Sequence, residues 1–269
     1  MYTYNIKLQD FASLAFKYNW RKAIFVFAEE QDLERLGTAP NITMQFSSFD
    51  NELPIILVLT SEELEPIYDN TVAPNTYMLT LSPRMLEEAH QTAWEYMYNY
   101  LKTFKQIAYA LFAEWYSVIS QAVGKDSYPL NMNKNPHFEW DKPKIDTDSS
   151  DWFAQMCLTA EQNCLCALGV DRRHSTDLIR ITGHSLEPYP VQLVLYNLIN
   201  LRKLGLGVQR THATNYMIRD TVLTLQIMAE GGKVNTVPQF VVNAPSLTYT
   251  EEDIHTVLEL PKKFKGVLN

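Results

Sequence analysis

Apolar and polar positions along this chain fall into two periods, and the longest helical stretch runs from Ser82 to Gly124. Ser82 is a good N-cap, Pro83 suits the first helical position, and Glu87 and Glu88 face the positive end of the helix dipole. No glycine or proline interrupts Arg84 to Val123, and Gly124 reads as the stop. Met97, Leu101, Phe104, Ala108, Leu111, Trp115, Val118 and Ala122 follow one another in steps of four and three, the spacing of a heptad seam. Tyr96, Tyr100, Ile107, Phe112, Tyr116 and Ile119 fall on the flanking faces. The pattern predicts a long central helix over about residues 83–123, some 60 Å at roughly 1.5 Å per residue, with Asn99 to Thr103 the place for a kink or break. A helix apolar on more than one side needs more cover than its own sheet gives. Either one large core or a neighbouring subunit would supply it.

The period-two signals are shorter. Asn41 to Phe46 alternates, Leu53 to Thr60 is apolar on both faces and reads as a central strand, and Thr76 to Leu81 reads as a third strand feeding the long helix. Residues 22–27 fit a strand or a buried helix, and Leu8 to Tyr18 a short amphipathic helix. Proline- and asparagine-punctuated residues 125–150 form a polar connector. Beyond it, helices are expected from Ser149 through Leu168, from Pro190 to Gly205, and after Thr250, with a strand over Asp177 to Thr182. Thr221 to Ile227 and Val234 to Val242, joined by Glu230-Gly231-Gly232-Lys233, read as a β-hairpin, with Pro238 at an edge or bulge. The fold class this predicts is α+β: small mixed or antiparallel sheets packed with the long helix. The expected organisation is an α+β region over 1–124, the connector over 125–150 and a second α+β region over 151–269, whether or not the two share a core.

Composition changes the picture at three points. Glycine is scarce, with 9 residues in 269, which argues against phosphate-cradling loops. Charge is unevenly divided: residues 1–150 carry 12 Lys and Arg against 20 Asp and Glu, whereas residues 151–269 carry 11 of each. The segment from Arg172 to Arg219 is locally basic, with Arg173, Arg202 and Arg210 among its cations. Cys157, Cys164 and Cys166, an odd number close together, fit a reducing intracellular compartment. The N-terminus lacks the marks of a signal peptide, and Glu114 interrupts the apolar run that a membrane span would need.

Candidate chemistry is thin. Cys164 and Cys166 would fall about 200° apart on a helix and have no second pair, so no metal is expected. Gly183-His184-Ser185 lacks the second glycine of a nucleophile elbow, where Glu187 stands, and Gly205-Leu206-Gly207 lacks the third glycine of a dinucleotide fingerprint. Glu62, Glu63 and Glu65 read as a solvated helix face. The expectation is a non-enzymatic structural subunit made in the cytoplasm, joined to copies of itself or to other subunits, with a virion (phage) component the most concrete version. It carries no cofactor, nucleic acid is disfavoured as a partner because the chain is acidic, and no membrane is involved. Its interface would use Met97, Leu101, Phe104, Leu111, Trp115 and Val118 as anchor and Arg172, Arg173, Arg202 and Arg210 as electrostatic register. The alternative is a hydrolase or transferase with loop-borne His174, His184 or His212; a third reading is a nucleic-acid-associated protein.

Overall fold

The computed structural model describes residues 4–28, 42–46, 53–69, 72–73, 76–115, 117–121, 152–172, 193–205, 216–243 and 250–268. The chain forms two compact units, Met1–Val118 and Ile119–Asn269.

The first unit alternates strands and helices: β1 (Tyr4–Ile6), α1 (Leu8–Lys17), β2 (Lys22–Ala28), α2 (Ile42–Phe46), β3 (Ile55–Leu59), α3 (Glu65–Asp69), β4 (Thr76–Thr80), α4 (Pro83–Ala89), α5 (Ala93–Thr103) and β5 (Tyr109–Glu114). Its strands lie in the order β1-β4-β3-β2-β5, and every pairing is parallel. A parallel sheet carries helices on its faces, so central strands must be apolar on both sides. Ile55–Leu59 and Tyr109–Glu114 are buried at every position, which is why neither shows clean alternation. Phe11 of α1 ties the layers together: its ring meets Trp20, Phe25 of β2, and Tyr100 and Phe104 at the end of α5.

The predicted long helix does not form, and the α+β fold class built on it is corrected to an α/β arrangement with a parallel sheet in this unit. The segment 83–123 contains two short helices and two strands instead. His90 takes a left-handed conformation (φ 50°) and ends α4, and Thr92 then starts α5 with a reciprocal cap: Glu95 N–H donates to Thr92 Oγ1 (3.2 Å) and Thr92 N–H to Glu95 Oε2 (3.0 Å). Phe104 is extended and stops α5. Ile107 to Glu114 then enters the sheet beside β2, from Lys22↔Tyr109 to Phe27↔Glu114. A strand buried on both faces and a helix buried all round look alike in hydrophobic pattern; here the open edge of β2 decides between them.

A short strand, β6 (Val118–Gln121), spans the division between the units. The second unit contains α6 (Trp152–Gln162), β7 (Ala167–Arg172), β8 (Leu193–Asn197), α7 (Leu198–Leu204), α8 (Tyr216–Ala229), β9 (Val234–Asn243), α9 (Glu251–Lys263) and α10 (Lys265–Leu268). β7 is flanked by β8, antiparallel, and β9, parallel. The register between β7 and β9 jumps from Val170↔Val237 to Asp171↔Val241, so Pro238 lies in the irregular stretch.

Four further segments differ from expectation. Asn41 to Phe46 gives the short helix α2 rather than a strand, and Thr221 to Ile227 is the middle of α8, so no hairpin precedes β9. All side chains of α8 from Ile218 to Met228 are buried, and that all-round burial erases the polar face by which a helix is usually read. The helix expected from Pro190 begins only at Leu198, because Leu193–Asn197 is a buried strand. Likewise α6 ends at Gln162, where Cys164 turns left-handed (φ 54°) and releases the chain into β7. The connector 125–150 and the strand expected over Asp177 to Thr182 lie outside the described residues.

Candidate functional site

In the first unit the chain order reverses at β2. Its successor β3 lies on one side and β5 on the other, so the carboxyl ends of β2 and β5 flank a topological switch point, where open parallel sheets bind ligands. Glu114, the last residue of β5, stands there opposite Phe27 and is 5% exposed. Alternation along β5 puts its side chain on the face of Phe112, whose ring packs edge-on against Trp94 of α5 at 5.4 Å.

The backbone beyond Glu114 is pinned at several points. Trp115 N–H donates to the Phe27 carbonyl at 2.9 Å, Ser117 N–H donates to the Glu114 carbonyl at 3.0 Å, and Ile42 N–H donates to the Trp115 carbonyl at 3.4 Å. The Trp115 ring meets Tyr68 of α3 edge-on at 4.7 Å. On α2, Thr43 Oγ1 accepts a hydrogen bond from Ala73 N–H (3.0 Å), joining α2 to the segment before β4. The result is a nearly buried carboxylate at the end of β5, in a segment where Ser117 and the Trp115 partner Tyr68 are buried as well. A second carboxylate lies further along the same edge: Glu65 of α3 accepts from Thr80 Oγ1 (2.6 Å) at the end of β4 and from Asn5 Nδ2 (2.7 Å). Glu65 is thus a clamp between elements rather than part of a solvated row with Glu62 and Glu63.

The residues expected to form an interface seam are dispersed. Met97 and Leu101 are fully buried on α5, Phe104 is the half-buried cap of that helix, Leu111 is buried in β5, and Trp115 is buried against Tyr68. Val118 opens β6. Arg172 ends β7 and Arg202 lies partly exposed on α7, while Arg173, Arg210, His174, His184 and His212 fall outside the described residues. Of the remaining histidines, His90 caps α4, His255 is exposed on α9, and His137 falls outside the described residues. Among the described residues no three His, Cys, Asp or Glu side chains group as metal ligands, and no helix is long and apolar enough to cross a membrane.

Sequence reading passed over Glu114 because it took the residue for a break in a helix's apolar face. Read as a strand, YALFAE is an apolar run closed by a carboxylate at the carboxyl edge, the usual signal for a functional position in a parallel sheet.

No family model matches this chain, and no curated protein matches it. Among solved structures it is similar to that of a "putative nucleotide-diphospho-sugar transferase" from Desulfovibrio desulfuricans G20, at 11% identity and a TM-score of 0.39, over 81% of this chain and 80% of that one. The expectation of a non-enzymatic assembly or virion subunit is corrected along with its premise. The over-apolar rod that motivated it is two helices and two strands.

Proposed function

We propose that this chain is an enzyme of the transferase class that holds a small-molecule substrate at the carboxyl ends of β2 and β5, with Glu114 as its acidic group. The observation that carries the reading is a nearly dry carboxylate at the switch point of a parallel sheet. In such a place a carboxylate takes the proton from an attacking hydroxyl, and its aromatic walls keep competing water from the group in transit. That exclusion favours transfer over hydrolysis, the other half of the alternative read from the sequence.

Nucleotide-diphospho-sugars, the donors in the similar protein's name, are the first class to assay. The test is a panel of such donors followed by thermal shift and by release of the nucleotide product. The expected result is a donor that raises the melting temperature and turns over, with Glu114→Gln lowering kcat at least about 100-fold while leaving the fold intact. Turnover unchanged in Glu114→Gln would remove Glu114 from the chemistry. Donor-dependent hydrogen-exchange protection confined to residues outside the β2–β5 edge would remove the site altogether.

A further inference from the structure

The opposite, amino edge of the same sheet carries a different surface. Sequence around it interleaves aromatic and basic residues: Phe16-Lys17-Tyr18-Asn19-Trp20-Arg21-Lys22 enters β2, and Tyr100-Leu101-Lys102-Thr103-Phe104-Lys105 leads towards β5. The fold brings both stretches together with the starts of β1 and β4. Tyr4 stacks on Tyr77 (5.4 Å), Tyr77 meets Trp20 edge-on (5.1 Å), and Trp20 stacks with Tyr18 (5.9 Å). Through Phe11 the ring contacts continue to Phe104, which meets Phe16 edge-on at 5.5 Å.

Much of this aromatic track faces solvent. Tyr4 is 48% exposed, Tyr18 54% and Phe16 65%, high values for large rings that already have neighbours. The rings are also held in place. Trp20, itself buried, anchors Tyr18 and Tyr77, and the turn at Asn19 (φ 51°) is fixed by Gln106 Nε2 donating to Asn19 Oδ1 (3.1 Å) and to the Ala15 carbonyl (3.3 Å).

Cations border the rings. Lys17 Nζ sits 4.9 Å from the Tyr18 ring centre, Arg21 and Lys105 are exposed, and Lys22 and Lys102 are partly so. Among the described residues no carboxylate pairs with Lys17, Arg21, Lys22 or Lys105. This local excess of positive charge lies in a half of the chain whose net charge is −8.

We infer that the amino edge of the first unit, centred on Tyr4, Tyr18, Tyr77, Lys17 and Arg21, binds single-stranded nucleic acid, stacking its bases on the tyrosines and pairing its phosphates with the cations. Rigid exposed rings alternating with mobile cations suit a strand whose successive nucleotides each offer a flat face and a negative charge. Aromatic rings also mark protein interfaces, but lysine is depleted there, and lysines border this track. The surface lies at the other end of the strands from Glu114 and does not depend on the proposed reaction.

The experiment is fluorescence anisotropy of a labelled mixed-sequence DNA strand of roughly a dozen nucleotides, titrated with the intact chain over a range of salt. Wild type should bind the strand, preferring it to the same sequence as a duplex, and log affinity should fall linearly with log salt by about 0.7 per phosphate contacted. Tyr4→Ala with Tyr18→Ala should weaken binding roughly tenfold or more at every salt concentration, and Tyr18→Trp should restore it. Lys17→Ala with Arg21→Ala should instead flatten the salt slope by one to two contacts' worth, about 0.7 each. All these side chains are exposed, and unchanged circular dichroism checks the fold. Absence of binding at low salt overturns the inference, as does binding that the aromatic pair of substitutions leaves unaltered. A concentration-dependent dimer abolished by those same substitutions, without strand binding, would also overturn it and assign the patch to a second copy of the chain.

Discussion

The two units of this chain bury their helices differently. In the first, α1 covers a parallel sheet with one apolar side and keeps polar groups outward: Phe11 and Ala15 are buried while Ser13 and Lys17 are exposed. In the second, α8 is buried from Ile218 to Met228 and takes Arg219, Asp220, Thr221, Thr224 and Gln226 in with it. Arg219 Nε and Nη2 both reach Asp220 Oδ1, at 3.3 and 3.4 Å, and the two side chains are only 5% and 3% exposed. Apart from the buried carboxylates Glu95 and Glu114, the first unit rests mainly on apolar packing, which tolerates variation of similar volume. The second places charges where each must keep its partner, because taking an ion out of water costs several kcal/mol unless an opposite charge lies beside it.

That contrast can be broken most sharply at the ion pair. Asp220→Ala should destabilise the protein by about 3–5 kcal/mol in urea unfolding, because it removes a carboxylate that faces a buried guanidinium. Replacing both partners by Met and Leu should cost much less. Equal costs for the single and double changes would show that water reaches the pair. Next in size is Leu57→Ala in β3 of the first unit, where a fully buried side chain leaves a cavity and about 2–5 kcal/mol is lost.

A smaller loss is expected at the turn between α8 and β9. A Cβ on Gly232 would lie 2.6 Å from Ile227 Cγ2, 2.8 Å from Leu204 Cδ1 and 2.9 Å from the Ile227 carbonyl oxygen. The backbone oxygen cannot swing away as a side chain can, so Gly232→Ala should cost about 1–3 kcal/mol. Gln226→Leu should move the other way. Neither amide atom of this buried side chain has a hydrogen-bond partner among the described residues, so an apolar residue of similar size should raise stability by about 1 kcal/mol or more. A loss of stability on that change would reveal a bound water or ligand at the amide.

The smallest effect separates the cysteines. Cys164 is exposed, whereas Cys157 and Cys166 are buried, and burial pushes the Cys166 thiol above its ordinary value despite its hydrogen bond with the Lys233 backbone. Maleimide should label Cys164 first, because it is the exposed thiol. Cys166 should lag, since both access and thiolate formation are held back. Simultaneous labelling of all three in the native protein would contradict the burial of Cys157 on α6 and of Cys166 just before β7.

What could be read from residues alone was local. Leu53 to Thr60 had to be a buried strand, because eight apolar and β-branched residues in a row leave no polar face. Thr250 followed by Asp253 supplies both halves of a capping box, and α9 starts there. Ser61 likewise caps the turn at Glu62–Leu64, its Oγ accepting from Glu63 N–H. These depend on contacts within a few residues, which the order of side chains fixes without reference to the rest of the chain.

Residues 107–114 and 221–227 are the opposite case. Both are buried on every side, and such a segment is equally content as a strand inside a sheet or as a helix inside a core. For the first, the vacant hydrogen-bonding edge of β2 settled the matter, turning an apparent helical seam into β5 and carrying Glu114 to the switch point. For the second, burial all round gave a helix, where alternation had suggested a strand. The pairing of β2 with β5 joins residues more than eighty positions apart, and no local pattern encodes a partner so distant. The sequence by itself determined caps, turns and the most apolar strands. Tertiary structure decided which apolar segments pair, and so where the candidate site lies, because backbone hydrogen bonds in a sheet are made to another part of the chain.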